Sequence, residues 1–77
     1  MINYKMSTYI LTRTHGELKL VLLFTPTLEG DYLAEASTDD GATFAPPQRR
    51  TREQVEGVVS FCRTRTDTLI EETPNER

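Results

Sequence analysis

The stretch STYILTRTHGELKLVLLFT, residues 7–25, decides the fold of this chain. A run rich in Thr, Tyr, Ile and Leu over residues 8–14 meets His15-Gly16 and is followed by a second run over 17–25. Two β-forming runs joined by a two-residue X-Gly connection predict a hairpin. His15 fits the first turn position, because His is among the residues that tolerate a positive φ. In the second run period-two alternation puts Leu18, Leu20, Leu22 and Phe24 on one face and Val21 and Leu23 on the other. A strand apolar on both faces belongs at the centre of a sheet, or else its second face meets another chain. The homodimer expected from this pattern would be built on that second face.

Downstream, PTLEGD (26–31) reads as a turn and YLAEAS (32–37) as a half-exposed strand, with Tyr32, Ala34 and Ala36 alternating against Leu33, Glu35 and Ser37. TDDG (38–41) closes another turn, and ATF (42–44) is at most a short fourth strand before Pro46-Pro47 ends the sheet region. Thr51-x-x-Gln54 then has the form of a capping box. Behind it Val55, Val58, Val59, Cys62, Thr66 and Leu69, with Ile70 beside them, recur at helical spacing. The helix is expected from about residue 52 to about residue 72. The alternating, Thr-rich RTRTDT (63–68) offers a second reading, a helix end near Arg63 followed by an edge strand. The fold class is therefore α+β: an antiparallel sheet of three or four strands packed by one C-terminal amphipathic helix, in a single domain whose residues 1–5 and 73–77 are frayed tails.

At 77 residues, such a domain buries only about 60% of the surface its unfolded chain exposes. The lone Cys62 can form no internal disulfide, and no Cys/His cluster offers a zinc site. Good packing and self-association remain as supports. The opening residues lack the apolar core of a signal peptide, and no segment approaches the ~20 apolar residues of a membrane span, so the chain is expected to be soluble and cytoplasmic.

Catalytic chemistry finds little purchase, and no cofactor or metal is expected. His15 is the only histidine and falls in a turn. Cys62 lies on the apolar stripe of the helix, where a thiol stays protonated. Asp39-Asp40-Gly41 lacks the spaced oxygen ligands of a calcium loop. The four glycines are scattered rather than gathered into a phosphate loop, and Gly57 sits within the helix, as a concession to packing or as a point of close approach.

Charge is the sharper signal in a chain of formal net charge -3. Residues 20–48 contain no Lys or Arg but carry Glu29, Asp31, Glu35, Asp39 and Asp40. Residues 49–65 reverse the balance, with Arg49, Arg50, Arg52, Arg63 and Arg65 against Glu53 and Glu56. The two halves either complement each other within the fold or present a bipolar surface to a partner. Arg49, Arg50 and Arg52 adjoin a helix N-terminus, whose free N–H groups favour an anion. A sequence pI near 5.0 and the lack of aromatics among these arginines argue against a nucleic-acid track.

The segment FTPTLEGDYLAEAS (24–37), followed after a loop by TREQVEGVVSFCRTRTDTLIEE (51–72), resembles the core of HicB-type antitoxins. Gly30, Tyr32, Ala34, Glu35, Thr51, Glu53 and the stripe from Val55 match that family's turn, Tyr-x-Ala-Glu strand and Thr-x-Glu helix start over roughly half the chain. The family's Pro and Gly-Cys after the strand are replaced here by STDDGATF (37–44), and no DNA-binding segment follows the helix. The resemblance implies a sheet-plus-helix module that masks a basic RNA-cleaving toxin. In type alone, a short acidic αβ chain is also similar to phage anti-defence proteins such as the anti-CRISPR proteins.

The expected function is thus a non-enzymatic, protein-binding inhibitor that covers a basic, nucleic-acid-handling surface of a host or toxin protein. Glu29, Asp31, Glu35, Asp39 and Asp40 would stand in for phosphates, and Arg49, Arg50 and Arg52 would grip an acidic patch or anion at its edge. The alternative is an anion- or nucleic-acid-binding module centred on the same three arginines.

Overall fold

The computed structural model describes residues 6–65 and 68–72. The tails expected at 1–5 and 73–77 lie outside them. Five strands, β1 (Thr8–His15), β2 (Leu18–Pro26), β3 (Tyr32–Ser37), β4 (Gln48–Arg50) and β5 (Thr68–Glu72), form one antiparallel sheet in the order β4-β3-β2-β1-β5. One helix, α1 (Arg52–Arg63), lies between β4 and β5 in the chain. The α+β class stands, with five strands in place of three or four and a strand after the helix.

β2 is central, as its two apolar faces require. The hairpin forms one residue later than expected: His15 pairs with Leu18, so Gly16-Glu17 is the turn. Gly16 takes the positive φ of 64° and His15 stays in the strand, the arrangement of a two-residue turn with glycine first. Register then sorts the sheet into two faces. Leu11 pairs with Leu22, Tyr9 with Phe24, and Phe24 with Ala34, so these side chains share the face under the helix. Ile10 pairs with Leu23 and Ile70, and Thr25 with Leu33, on the opposite face.

The helix is shorter than the stripe suggested, and the reason is geometric. β4 and β5 are the two edges of the sheet, so α1 must carry the chain from one edge to the other across its face. Five strands are about 19 Å wide at their usual spacing. Twelve helical residues rise about 18 Å, whereas a helix reaching residue 72 would be about 31 Å long and overshoot the sheet. Thr64 caps the C-terminus, its N–H donating to the Phe61 carbonyl at 3.2 Å, while the N–H of Arg65 donates to the Cys62 carbonyl at 3.1 Å. The second reading of residues 63–68 is the one that holds: the helix ends at Arg63, and Leu69 and Ile70, otherwise read as part of the helical stripe, belong to an edge strand, β5, which pairs with the otherwise open edge of β1. The other edge is corrected too: residues 42–44 form no strand, and β4 comes after the prolines, at Gln48–Arg50.

Val55, Val59 and Cys62, spaced to fall on one side of α1, are buried against Met6, Leu11, Phe24 and Tyr32. Tyr32 is 2% exposed, its ring 6.2 Å from that of Tyr9, and its hydroxyl donates to the Ser7 carbonyl at 3.2 Å. Burial pushes its phenol above the usual tyrosine range. The helix start is the capping box expected from sequence: Gln54 N–H donates to Thr51 Oγ1 at 3.1 Å, and Thr51 N–H to Gln54 Oε1 at 2.9 Å.

Candidate functional site: an acidic strand and an apolar groove

The five carboxylates of residues 29–40 do not gather into one patch. They are strung along β3, with Glu29 and Asp31 in the turn before it, Glu35 within it, and Asp39 and Asp40 in the loop after it. The six residues of β3 that separate the first two from the last two span about 17 Å at the usual rise per residue.

Two members do structural duty at the first turn. Thr27 Oγ1 donates to Asp31 Oδ1, and Arg49 Nη1 lies 2.6 Å from both Glu29 Oε1 and Asp31 Oδ2. The Thr27 hydroxyl first, then the Arg49 guanidinium, hold the Asp31 carboxyl below the usual carboxylate range. The Arg49 cluster keeps a net charge of about -1, because one cation faces two anions.

Asp39 organises the loop after β3. It accepts from the buried Ser37 hydroxyl at 2.6 Å, from Thr43 N–H at 3.0 Å and from Thr43 Oγ1 at 2.5 Å. Ser37 Oγ in turn accepts from the N–H groups of Asp39 and Gly41. These donors, Ser37 foremost and then Thr43, pull the Asp39 carboxyl down to about 2. Asp40 follows at a positive φ of 63°, in a left-handed conformation that Asp tolerates better than most residues. Glu35 is half-buried on the face away from the helix, opposite Leu23.

The three arginines separate in the same way. Arg49 faces its two carboxylates, and Arg52 Nε bonds Glu56 Oε2 at 2.8 Å, one helical turn on. Arg50 donates to Gln48 Oε1 at 2.5 Å and to the Arg49 carbonyl at 2.8 Å. The cluster that is contiguous in sequence therefore points in three directions, because residues 49 and 50 alternate across β4 while Arg52 has entered the helix. Among the described residues, no group of three or more His, Cys, Asp or Glu is placed to hold a metal ion. No described helix is long and apolar enough to cross a membrane. His15 is exposed at the hairpin tip, and Cys62 packs in the core, as their positions in the sequence implied.

A feature that sequence reasoning missed lies on the helix side of the sheet. The loop joining β3 to β4 stands away from α1, with Ala45 N–H held by the Ala36 carbonyl at 2.8 Å. Between loop and helix opens a groove of about 380 Å³. Leu22, Phe24, Ala34 and Ala36 supply its floor, Ala45 and Pro46 one wall, and Val55 and Val58 the other. Gln48, Arg50 and Gln54 are its polar side chains; Glu35 borders it through β3, its register partner Leu23 lying on the opposite face. On the helix, Val58 is 38% exposed and Phe61 58% exposed, with the Arg65 guanidinium 5.2 Å from the Phe61 ring centre. Phe44 is also exposed. The available signal was Phe61, an aromatic off the buried stripe of an otherwise amphipathic helix.

No family model, no curated protein and no solved structure matches this chain.

Proposed function

We propose that this domain is a non-enzymatic, protein-binding inhibitor of the antitoxin-like or phage anti-defence kind, which covers a basic, nucleic-acid-handling surface of another protein. The observation that carries this reading is the apolar surface left uncovered among the described residues of a 77-residue chain: Val58 in the groove wall, Phe61 three residues on along the helix, Phe44 in the β3–β4 loop, and Ile70 on the other face. Contiguous exposed apolar surface on a small domain marks an interaction site. Charge gives the sign of the target. Among the described residues the line of carboxylates along β3 meets only Arg49 as an internal cation, which leaves Glu35 and Asp40 to face a basic surface. The resemblance of the turn, strand and helix start to HicB-type antitoxins supports the same class of activity. A second copy of the chain is the proposed cover for the face that carries Ile70 and Glu35 when no target is bound, and the basic target displaces it.

The test is affinity isolation of the chain from its native host after crosslinking, followed by reconstitution with the purified partner. A basic, nucleic-acid-handling protein is expected in stoichiometric amount, with binding weakened at least tenfold when Glu35 and Asp40 are both changed to Lys. If no stoichiometric partner is recovered, and the chain instead binds RNA or DNA in a salt-dependent way lost on replacing Arg49 and Arg50, the anion-binding alternative replaces this one.

A further inference from the structure

The groove between α1 and the β3–β4 loop has one chemical asymmetry. Its floor and walls are apolar, from Leu22 and Phe24 to Pro46 and Val58, and the charged side chain on its face of the sheet is Arg50. Arg50 pairs in register with Tyr32, a residue of the helix-covered face, and so stands on the groove side of β4. Its guanidinium has five N–H donors. Its partners are both neutral, the Gln48 side-chain oxygen and the Arg49 carbonyl, and among the described residues no carboxylate lies within ion-pair distance of it. Arg49 and Arg52 on either side of it in the chain each hold a carboxylate. Among the described residues Arg50 is thus a cation without a counter-ion beside an apolar cleft, in a protein whose overall charge is negative.

We propose that this groove receives a short apolar segment of a partner protein that carries a carboxylate directly beside its apolar residues. The apolar side chains enter between Val58 and Ala45, and the carboxylate meets the guanidinium of Arg50. Charge complementarity selects this occupant: a neutral apolar segment leaves Arg50 without a counter-ion, and a basic one places like charge against it. A cavity of about 380 Å³ falls in the range of small-ligand sites lined mainly by apolar groups with a few placed polar ones. Planar guanidinium groups bind carboxylates through two parallel hydrogen bonds, which gives the site direction as well as attraction. The proposal rests on reading the domain as protein-binding, and it places local acid recognition at Arg50 on a molecule whose β3 side is suited to a basic surface.

The experiment uses the full chain, uniformly labelled with nitrogen-15, and two probes: acetyl-Leu-Ala-Leu-Phe with a free C-terminal carboxylate and the same peptide as its C-terminal amide. Saturable shifts are expected at the amides of Leu22, Ala36, Ala45 and Val58 with the carboxylate form, and affinity at least tenfold lower for the amide form. Arg50→Gln, an exposed change that breaks no ion pair, is expected to bind both forms equally and weakly. Val58→Glu, at a partly exposed position, is expected to abolish binding of both while leaving the spectrum of the core residues folded. Absence of saturable binding, equal affinity for the two forms in the wild type, discrimination that survives Arg50→Gln, or shifts confined to Ile10, Leu23 and Leu33 on the opposite face would each overturn the proposal. The native partner separates this outcome from the broader reading. A partner whose affinity is indifferent to Arg50→Gln and Val58→Glu removes the groove proposal but leaves the inhibitor reading in place.

Discussion

At the scale of single residues, charges adjacent in the sequence serve the fold before they serve a partner. Asp39 is the clearest case, since three donors from Ser37 and Thr43 converge on its carboxylate and hold it at about 2, against an ordinary value of 3.8. A carboxylate whose folded value is lowered contributes stability that is present above its unfolded value and lost as pH falls through the folded one. The stabilisation from Asp39 should therefore be complete above about pH 4 and fade between pH 4 and pH 2. Asp31, lowered by Thr27 and Arg49, acts in the same direction. Asp39→Asn should unfold at lower urea concentration than the wild type at pH 6, and the gap between the two curves should shrink as pH falls from 4 towards 2, where the folded Asp39 is already about half protonated. A gap that persists unchanged to pH 2 would assign the loop's stability to something other than the charge on Asp39. Since Asp39 is committed to this loop, the sign of any partner surface depends more on Asp40 and Glu35, a distinction that counting charges along the sequence could not make.

At the scale of elements, Gly57 gives the helix a testable weakness. A methyl group built on Gly57 meets no atom within 4 Å, so neither internal packing nor a close approach within the chain explains the residue. Gly57→Ala should raise stability by up to about 1 kcal/mol through helix propensity alone, which corresponds to roughly 4–8 °C in melting temperature for a domain of this size. A fall in melting temperature would show that this face of the helix is covered in the isolated protein. The hairpin, the half-exposed β3 and the Thr51/Gln54 cap were legible in the sequence because each rests on a local rule: alternation, turn chemistry or a four-residue box. Of the two sheet edges, β4 was not legible, and β5 was legible only as the second reading of residues 63–68, a helix end near Arg63 followed by an edge strand. β4 is three exposed residues after two prolines, and β5 exists because β1 has an edge for Leu69 and Ile70 to pair with, a fact that depends on the whole topology. Helical spacing assigned Leu69 and Ile70 to the wrong element because i, i+3, i+4 spacing and strand alternation can both be fitted to a short apolar run. The groove was hidden for a related reason: it is a gap between a loop and a helix, and the sequence signals only the residues that line it, as ordinary core alanines and valines.

At the scale of the whole molecule, one layer of helix on one face of a five-stranded sheet leaves the other face, among the described residues, without a layer of its own. Register places Leu23, Ile10 and Ile70 side by side across β2, β1 and β5, with Val21 and Leu33 on neighbouring rows. The row continues into Glu35 on β3, and the positions above and below it are largely threonines, Thr8, Thr12, Thr25 and Thr68, which partly shield the row without burying it. Ile70, at the edge, is 47% exposed. Two such faces packed together would form a sandwich whose inner sides are about 10 Å apart, the usual arrangement for sheets with one apolar face. The chain should accordingly run as a dimer in light scattering at high concentration and dissociate on dilution. Ile70→Lys should keep the circular dichroism of the wild type, because the side chain is outside the helix-side core, and should shift the mass to that of the monomer. A wild-type chain that stays monomeric at every concentration would remove the dimer. It would also mean that threonine framing and half-burial of Ile10 and Leu23 are enough to keep this face in water, leaving the groove beside α1 as the surface where apolar contact with another protein is to be sought.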